Sequence, residues 1–458
     1  MIVPYSDRMV SSLHFSPNCI SCSPMFQSVR GTFDVLPQAH ESGGSRVAGA
    51  AAWRHVEATV RGVMARYAFE EIRTPVLEPV ELVARGVGGT TDIVTKEMFT
   101  VERSRETYVL RPEITAPVMR AVLQHNLLAL RSPQRLYYVG ACFRAERPQK
   151  GRFRQFHQFG TELIGTADAR ADAETIACLR AVYDAFGIAG TRLRLNTLGD
   201  AADRPRYRDA LREHLAPHAA TLSQTSRERL DANPLRILDT KDPAERALLA
   251  GAPLLPEFVG AAAADHHAEV KALLDSVGVP YVESPFLVRG LDYYTRTVFE
   301  LESDALGAQS ALGAGGRYDG LAELVGSKQA VPAVGFAAGI ERLFLALAAQ
   351  NVALPAAPPP DAFVVALGDA AVRASLGLAE TLRRAGLAVE IGLGGRSVKA
   401  QMKAADRSGA RFALVVGDDE IAAGTVGVRD LAASEQTTVA LPDLAAHLAA
   451  RRDVRSGA

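Results

Sequence analysis

Arginine and lysine are concentrated in one stretch of the chain, residues 143–162, which reads FRAERPQKGRFRQFHQFGTE. Its five cationic side chains are accompanied by two carboxylates, Glu146 and Glu162. Pro148 presets φ and Gly151 accepts positive φ, so the pattern predicts two strands joined by an exposed cationic loop. Guanidinium groups match phosphate oxygens, and charged strands are costly to bury without anions. We therefore expect a site for a polyanion here; the alternative is a solvated amphipathic hairpin.

Carboxylate and hydroxyl side chains follow another predicted strand, which ends near Leu110. Arg111, Glu113 and Thr115 lie between this strand and a predicted helix at 116–130. A carboxylate at this position can bind an amine, and the threonine hydroxyl can cap the helix or contact a ligand. The alternative is that Glu113 pairs with Arg111 on the surface.

Three later segments combine polar residues with glycine: LVRGLDYYTRTVFE at 287–300, GAGGRYDG at 313–320 and PAVGFAAGIERL at 332–343. The first places an arginine, an acid and two tyrosines ahead of a predicted strand. The second lacks the glycine patterns of phosphate-binding and dinucleotide-binding loops, so its glycines predict close approach of a flat ligand or a neighbouring strand. The third predicts a strand that continues into a helix carrying Arg342, which is also the pattern of an ordinary strand–helix corner.

The surrounding sequence predicts the elements that position these segments. Apolar residues at spacings of three and four predict a helix over 53–67, which could belong to the core or to a dimer interface. Residues 207–277 predict a helical insertion in a larger α+β domain. We expect His266 and His267 to lie there in a solvated loop rather than in a metal site.

The last part of the chain predicts a separate domain. An Ala/Pro-rich linker at 351–360 precedes alternating strand and helix patterns over 361–458, which predict a small α/β domain with a largely parallel sheet. One predicted helix carries a basic ridge that could contact a phosphate backbone or face solvent. The ridge and its flanks comprise Arg396, Lys399, Lys403, Arg407 and Arg411.

Composition limits the class of protein. The chain has 458 residues, 48% hydrophobic and 22% charged, with a net charge of −1, so contacts with nucleic acid must come from local patches. Four scattered cysteines predict no disulfide framework, and no metal site completes the Cys19–Cys22 pair. We expect a cytoplasmic protein without a membrane span. Residues 1–25 predict a disordered extension, unless Met25 is the true start.

Taken together and in order, these segments resemble the histidyl-tRNA synthetases, a family of class II aminoacyl-tRNA synthetases, over residues 26–440. TDIVTKEMF at 91–99 and LRPEITA at 110–116 add to the match. The segments 287–300 and 311–321, the second of which reads ALGAGGRYDGL, are the most discriminating, because other class II families lack them. The resemblance implies an α+β fold: a class II antiparallel sheet of six or seven strands over 26–350, with the helical insertion and a C-terminal anticodon-binding domain.

The resemblance also implies a reaction and its partners. L-Histidine and ATP would give histidyl-adenylate and diphosphate, and histidine would then pass to the 3′ end of tRNA(His). Mg²⁺ would accompany ATP, with no dedicated protein metal site. The enzyme would be a homodimer. Arg147 and Gln149, on the turn of the hairpin, would face the acceptor end of the tRNA.

The family pattern assigns roles to the ATP-binding residues. Arg144 and Arg289 would flank the α-phosphate and act in catalysis, with Arg289 in the place that a metal ion holds in other class II enzymes. Arg152 and Arg342 would meet the β- and γ-phosphates. The adenine base would stack on the ring of Phe156. Its amino group would donate a hydrogen bond to the carboxylate of Glu146.

Histidine would be held by a second group of residues. Glu113 and Thr115 would bind the α-amine with help from Gln158 and Glu162, and two tyrosines would close the imidazole pocket. The residues assigned to histidine are Glu113, Ile114, Thr115, Arg144, Gln158, Glu162, Arg289, Tyr293 and Tyr294.

The sequence departs from the family pattern at three positions. Ile114 stands where many relatives have glycine, Thr295 where asparagine is common, and Gly313 where cysteine is common. None of the three replaces a residue to which the family pattern assigns a charged role. Two alternatives share the fold: the synthetase-like regulatory subunit of ATP phosphoribosyltransferase and a tRNA-sensing module. The regulatory subunits typically lack the 287–300 segment and the C-terminal domain, both of which this chain has.

Overall fold

A computed structural model of the chain describes residues 26–89, 91–149, 151–394 and 397–452. The predictions for residues 1–25, with Cys19 and Cys22, and for Lys150 and Arg396 lie outside these ranges. The chain forms two compact units that divide between Ala356 and Ala357.

Among the described residues, the first unit contains thirteen strands and eleven α-helices. Its strands are β1 (His40–Ser42), β2 (Ser45–Val47), β3 (Glu70–Glu71), β4 (Leu77–Pro79), β5 (Phe99–Arg103), β6 (Glu106–Leu110), β7 (Gln134–Phe143), β8 (Gln155–Ile164), β9 (Thr191–Thr197), β10 (Val282–Glu283), β11 (Thr295–Ser303), β12 (Ala311–Arg317) and β13 (Ala333–Gly339). Its helices are α1 (Ala50–Arg66), α2 (Val80–Val87), α3 (Thr115–Gln124), α4 (Leu127–Leu130), α5 (Ala169–Ala185), α6 (Arg204–Leu215), α7 (Gln224–Ala232), α8 (Pro243–Leu248), α9 (Ala261–Ser276), α10 (Leu321–Leu324) and α11 (Ile340–Ala349).

An eight-stranded sheet organises this unit, in the order β10-β9-β11-β12-β13-β8-β7-β3. The strands from β9 to β7 pair antiparallel, and the short edge strands β10 and β3 pair parallel to their neighbours. The predicted antiparallel core is therefore confirmed, with two short parallel edges that the sequence did not predict. The predicted hairpin is also confirmed: β7 and β8 pair from Gln134 with Ile164 to Phe143 with Gln155.

Alternating side chains cover the two faces of the sheet differently. On one face, residues such as Phe159 and Leu163 pack in a core with helices α1, α5, α9 and α11. On the other face, Tyr138 and Ile164 pack with α3 and with three tyrosines from the later segments. This period-two alternation is what a two-sided buried sheet requires. The second face carries the site described below.

Two helical predictions need correction. The helix predicted over 116–130 is interrupted, because Asn126 adopts a left-handed φ of 49° between α3 and α4. His266 and His267 lie within helix α9, and His266 is buried with its Nε2 3.3 Å from Asp172 Oδ1. The prediction of a solvated loop was wrong because the partner carboxylate lies on α5, far away in sequence.

The segment 207–277 is helical and has two packing environments. Helices α6 to α8 and the 3₁₀ turns between them enclose a small core of their own, which includes Tyr207, Leu211 and Ile237. Helix α9 instead packs on α5 and places Val270 and Leu274 in the main core.

The second unit contains five strands and four α-helices. They are β14 (Ala362–Leu367), α12 (Asp369–Arg384), β15 (Val389–Ile391), α13 (Val398–Ser408), β16 (Phe412–Gly417), α14 (Asp418–Ala423), β17 (Thr425–Asp430), β18 (Glu435–Ala440) and α15 (Leu444–Arg452). The sheet order is β15-β14-β16-β17-β18, with the first three strands parallel as predicted. The antiparallel pair β17–β18 was not predicted. Lys399, Lys403 and Arg407 are exposed on α13.

Candidate active site

A cavity of about 270 Å³, here called the site cavity, lies on the second face of the large sheet. The hairpin, the start of α3, the loop before β11, strand β12 and the β13–α11 junction all contribute to its wall. The lining residues are Glu113, Ile114, Thr115, Arg144, Glu146, Gly151, Arg152, Phe153, Phe156, Gln158, Arg289, Leu291, Tyr293, Tyr294, Ala311, Leu312, Gly313, Ala314, Ala337, Gly339, Glu341 and Arg342. The structure thus brings together residues that are more than 200 positions apart in sequence.

Two buried carboxylates lie at the end of the cavity where α3 begins. Glu113 accepts hydrogen bonds from the backbone N–H groups of Thr115, at 2.7 Å, and Ala116, at 3.0 Å. Burial nevertheless raises its pKa. Arg111 does not pair with Glu113; its guanidinium donates to Thr74 and to the Ala141 carbonyl. The alternative of a surface ion pair is therefore excluded.

Glu162 is buried next to the site cavity but does not line it. Its Oε1 accepts from Thr115 Oγ1 at 2.6 Å, and its other carboxylate oxygen accepts from the hydroxyl of Tyr318. Burial raises the pKa of Glu162 to about 8, and the negative charge of Glu113 adds to the shift. A cation bound above these two carboxylates would stabilise their ionised forms.

Tyr293 and Tyr294 form the wall next to the carboxylates, and Tyr318 packs against them without lining the cavity. The ring centroids of Tyr293 and Tyr294 are 4.6 Å apart, and those of Tyr293 and Tyr318 are 5.6 Å apart. Tyr318 was not predicted as a site residue, although it belongs to the glycine-rich segment. The glycines bring the strands together: a Cβ on Gly315 would lie 2.1 Å from the Gly335 carbonyl oxygen. This favours the neighbouring-strand interpretation of that segment.

The opposite end of the cavity is cationic. Arg144 donates from Nε to the Pro112 carbonyl at 3.0 Å, and its Cζ lies 5.2 Å from the centroid of the Phe156 ring. Arg152 donates from Nη1 to Glu146 Oε2 at 3.0 Å. These contacts hold one guanidinium beside the aromatic ring and another beside the carboxylate.

Two further arginines complete the cationic end. Arg289 forms an ion pair with Glu300, while its buried Nε has no hydrogen-bond partner among the described residues. Arg342 donates from Nη1 to the Ala311 carbonyl at 2.6 Å. Burial lowers the pKa of Arg342, and the nearby positive charge of Arg152 lowers it further. An anion bound here would relieve both effects.

The remaining predicted residues lie in or near the cavity. Gln158 lines it, and its Oε1 is 3.3 Å from the thiol of Cys142. Arg147 and Gln149 are exposed on the turn of the hairpin and do not line the cavity. The turn is closed by backbone hydrogen bonds between Gln149 and Arg152, and Gly151 takes a φ of 73° there.

The loop that carries Arg289 and the tyrosines is held by the helical insertion. Asp292 accepts at Oδ1 from Arg236 at 3.1 Å and from Asn233 at 3.2 Å. Arg236 also donates to the Gly290 carbonyl at 2.9 Å, and Arg204 donates to the Tyr294 carbonyl. No pattern in the sequence indicates these contacts, because the partners are separated by more than 50 residues.

Other features bear on cofactors and membranes. Across the part of the chain that the structure describes, no three His, Cys, Asp or Glu side chains cluster in a way that could hold a metal ion. No helix there combines the length and apolar character needed to cross a bilayer.

Comparison with known proteins gives consistent matches over both units. The family model for histidyl-tRNA synthetase matches residues 47–343, and that for an anticodon binding domain matches residues 361–451. A histidine–tRNA ligase of Prosthecochloris aestuarii is 47% identical over 92% of this chain and 99% of that protein. The corresponding ligase of Chlorobium phaeovibrioides is 48% identical over 92% of this chain and 97% of that protein.

A solved structure agrees with this assignment. The apo histidyl-tRNA synthetase of S. aureus superposes with a TM-score of 0.76 and is 35% identical, covering 93% of this chain and all of that one.

Proposed function

The chain belongs to the histidyl-tRNA synthetase family and is a histidine–tRNA ligase, and we propose that the site cavity performs its chemistry with the following division of roles. Histidine binds at the carboxylate end and ATP at the cationic end. The observation that carries this proposal is the buried, unpartnered Nε of Arg289, which lies in the same cavity as Glu113. A buried donor without an acceptor is costly unless a ligand supplies one.

The carboxylate end suits the cationic amine of histidine. Glu113 and Thr115 hold the α-amine, and Gln158 and Glu162 assist. Both carboxylates are buried and have raised pKa values, so an ammonium group adds positive charge to that of Arg144, which already acts on Glu113. A buried carboxylate is stabilised most by a partner of opposite charge within a few ångströms.

The aromatic wall suits the imidazole ring. Tyr293 and Tyr294 enclose it, and Tyr318 supports them from behind through its bond to Glu162. A pocket built to satisfy an imidazole rejects analogues that leave its buried polar groups unpaired. Ile114 lines this end and narrows it with an apolar side chain.

The cationic end suits ATP. Adenine stacks on Phe156 and donates its amino group to Glu146, while Arg152 and Arg342 contact the β- and γ-phosphates. Arg144 sits between these regions, beside both Phe156 and Glu146. Through its contacts with Phe156 and Glu146, Arg144 therefore links the position of the adenine base to that of the phosphates.

Arg144 and Arg289 flank the α-phosphate, where charge develops during adenylation. The histidine carboxylate attacks the α-phosphorus, and fixed guanidinium groups stabilise the added negative charge without reorganising. A guanidinium has five N–H donors, so Arg289 can retain Glu300 with one edge and donate Nε–H to the phosphate. In this way Glu300 orients the residue on which catalysis depends.

The second step and the assembly follow from the same arrangement. Arg147 and Gln149 are exposed at the turn, where they can meet the acceptor end of tRNA(His) in the cytoplasm. Mg²⁺ would enter with ATP, bound to the substrate phosphates and to water, and would help to neutralise their charge. The family resemblance also supports a homodimer, which light scattering at micromolar concentration would measure directly.

The regulatory-subunit alternative is not favoured. The chain matches the anticodon-binding domain model over 361–451, and it retains the segment with Arg289 and both tyrosines.

Single-turnover adenylation tests the central role. Arg289→Ala should slow the step by about a hundredfold or more, the usual cost of losing one transition-state donor. Arg180→Ala is the matched control, because this partly exposed arginine of α5 pairs with Asp184 and does not line the site cavity. Near-normal turnover by folded Arg289→Ala protein would refute the assignment.

A further inference from the structure

A second cavity of about 730 Å³, here called the adjacent cavity, adjoins the cationic end of the site cavity. The two share wall residues Arg152, Arg289, Ala311 and Arg342. The far wall of the adjacent cavity is formed by the helical insertion, through residues 238–250. The side chains proposed to hold the ATP phosphates therefore form a partition between two spaces.

The adjacent cavity has an excess of positive charge. Six cationic side chains and three carboxylates line it. They are Arg152, Arg194, Lys241, Arg246, Arg289 and Arg342, and Asp239, Glu300 and Glu302. Such a concentration in a concave surface attracts small polyanions more strongly than the near-neutral molecule as a whole.

The cationic side chains of the adjacent cavity differ in whether they form ion pairs within the protein. Arg194 pairs with Glu302 at 3.2 Å, and Arg289 pairs with Glu300. Arg246, on α8, is exposed, and its guanidinium makes no ion pair or hydrogen bond with any residue that the structure describes. Its positive charge is therefore available to a ligand at the outer wall.

The positive charges of Arg152 and Arg342, in the wall that the two cavities share, repel each other. Burial and the proximity of Arg152 both lower the pKa of Arg342. An anion that contacts both guanidinium groups from either side would stabilise them. An anion at the boundary between the two cavities can therefore contact both Arg152 and Arg342, which line each of them.

We propose that the adjacent cavity receives the diphosphate released by adenylation, and that Arg246 and Lys241 bind it there after Arg152 and Arg342. This inference rests on the proposed function. In adenylation, a histidine carboxylate oxygen forms a bond to the α-phosphorus, and the bond from that phosphorus to the bridging oxygen breaks. The bridging oxygen keeps the electron pair and leaves as part of diphosphate, next to the partition.

Equilibrium dialysis with labelled diphosphate and Mg²⁺ tests the proposal on the full-length enzyme. Arg246→Ala should weaken diphosphate binding about threefold to fivefold, the upper range for a partly exposed ion pair, and Arg246→Glu should weaken it further by adding repulsion. The matched controls are Arg227→Ala and Arg227→Glu, because Arg227 is an exposed arginine of α7 in the same insertion and lines neither cavity. They should bind diphosphate like the wild type.

Equal diphosphate affinity in the wild type and both Arg246 variants would overturn the proposal. So would a rise in the tRNA KM of Arg246→Glu with unchanged diphosphate affinity, since the cavity would then serve the tRNA end. Failure of the proposed function is distinguishable: the wild type would form no histidyl-adenylate, whereas diphosphate binding would still depend on Arg246. A loss of binding confined to the Arg246 variants supports the proposal where the wild type forms histidyl-adenylate. Without adenylation, the same loss shows a diphosphate site but overturns its place in this reaction.

Discussion

Glu162 makes histidine binding depend on pH in a way that can be calculated. Burial raises its pKa to about 8 in the free protein, so most of the carboxyl is protonated at pH 7. If the histidine ammonium requires the carboxylate, binding must first ionise Glu162. The ionised fraction rises from about one tenth at pH 7 to one half at pH 8, so the Kd for histidine should fall about fivefold over that interval.

Calorimetry can separate this effect from the titration of the ligand. Between pH 7 and 8 free histidine has a neutral imidazole and a cationic amine, so proton release reports on the protein. Titrations in buffers of different ionisation enthalpy should show release of about 0.9 proton per site at pH 7 and about 0.5 at pH 8, because binding ionises the protonated fraction.

Glu162→Gln removes the titrating group while it keeps an acceptor oxygen for the hydroxyl of either Thr115 or Tyr318 and presents its amide N–H group to the other. This variant should bind histidine more weakly, with a Kd that no longer changes between pH 7 and 8. Glu174→Gln serves as the control, since this partly exposed carboxylate pairs with Arg135 outside the site. A wild-type Kd that is constant from pH 7 to 8, with no proton release, would refute the reasoning.

The same shift has a consequence for folding. In the unfolded chain the carboxyl of Glu162 titrates near its ordinary value of 4.5, whereas the native state holds its proton to higher pH. Between pH 4.5 and pH 8 the native state therefore binds more protons than the unfolded chain. The contribution of Glu162 to the free energy of unfolding is complete below about pH 4.5 and declines as the pH rises to about 8.

Three other perturbations test separate parts of the structure. Arg236→Ala should lower the adenylation rate about tenfold with little change in the KM for ATP, because Asp292 and its loop lose a donor of the charge-assisted kind; stopped-flow kinetics checks this, and partial rescue by Arg236→Lys distinguishes positioning from misfolding. Arg317→Met leaves Asp172 buried beside His266 and should cost about 3–5 kcal/mol in urea unfolding, a result that unchanged stability would contradict. Lys403→Glu should raise the KM for tRNA several-fold and reduce its salt dependence, while tRNA-independent adenylation stays the same; an unchanged tRNA KM would exclude α13 from the tRNA interface.

The sequence predicted the elements whose patterns are local. The hairpin β7–β8 was predictable because its turn residues, Pro148 and Gly151, impose a defined backbone. The β13–α11 junction was predictable from small residues followed by an amphipathic run. Strand β18 was missed because it is an edge strand with mostly exposed, polar side chains, which lack the apolar alternation of a core strand. Strand β17 does carry that alternation, at Val426 and Val428, and could have been predicted.

The contacts that complete the site depend on tertiary packing. Nothing in the sequence near Arg289 indicates that Glu300, rather than a ligand, pairs with it. The same is true of Asp292, whose partners lie in the insertion, and of His266, whose partner Asp172 lies on another helix. Long-range pairs of this kind are set by sheet register and helix packing, which composition and periodicity do not specify.

Histidine-dependent exchange between ATP and labelled diphosphate tests the central claim most directly, because it requires the carboxylate end and the cationic end of the site cavity to work together. The wild type should catalyse robust exchange with histidine and none with the other amino acids, without tRNA. Folded protein that catalyses no exchange with histidine, or catalyses it equally with other amino acids, would contradict the account.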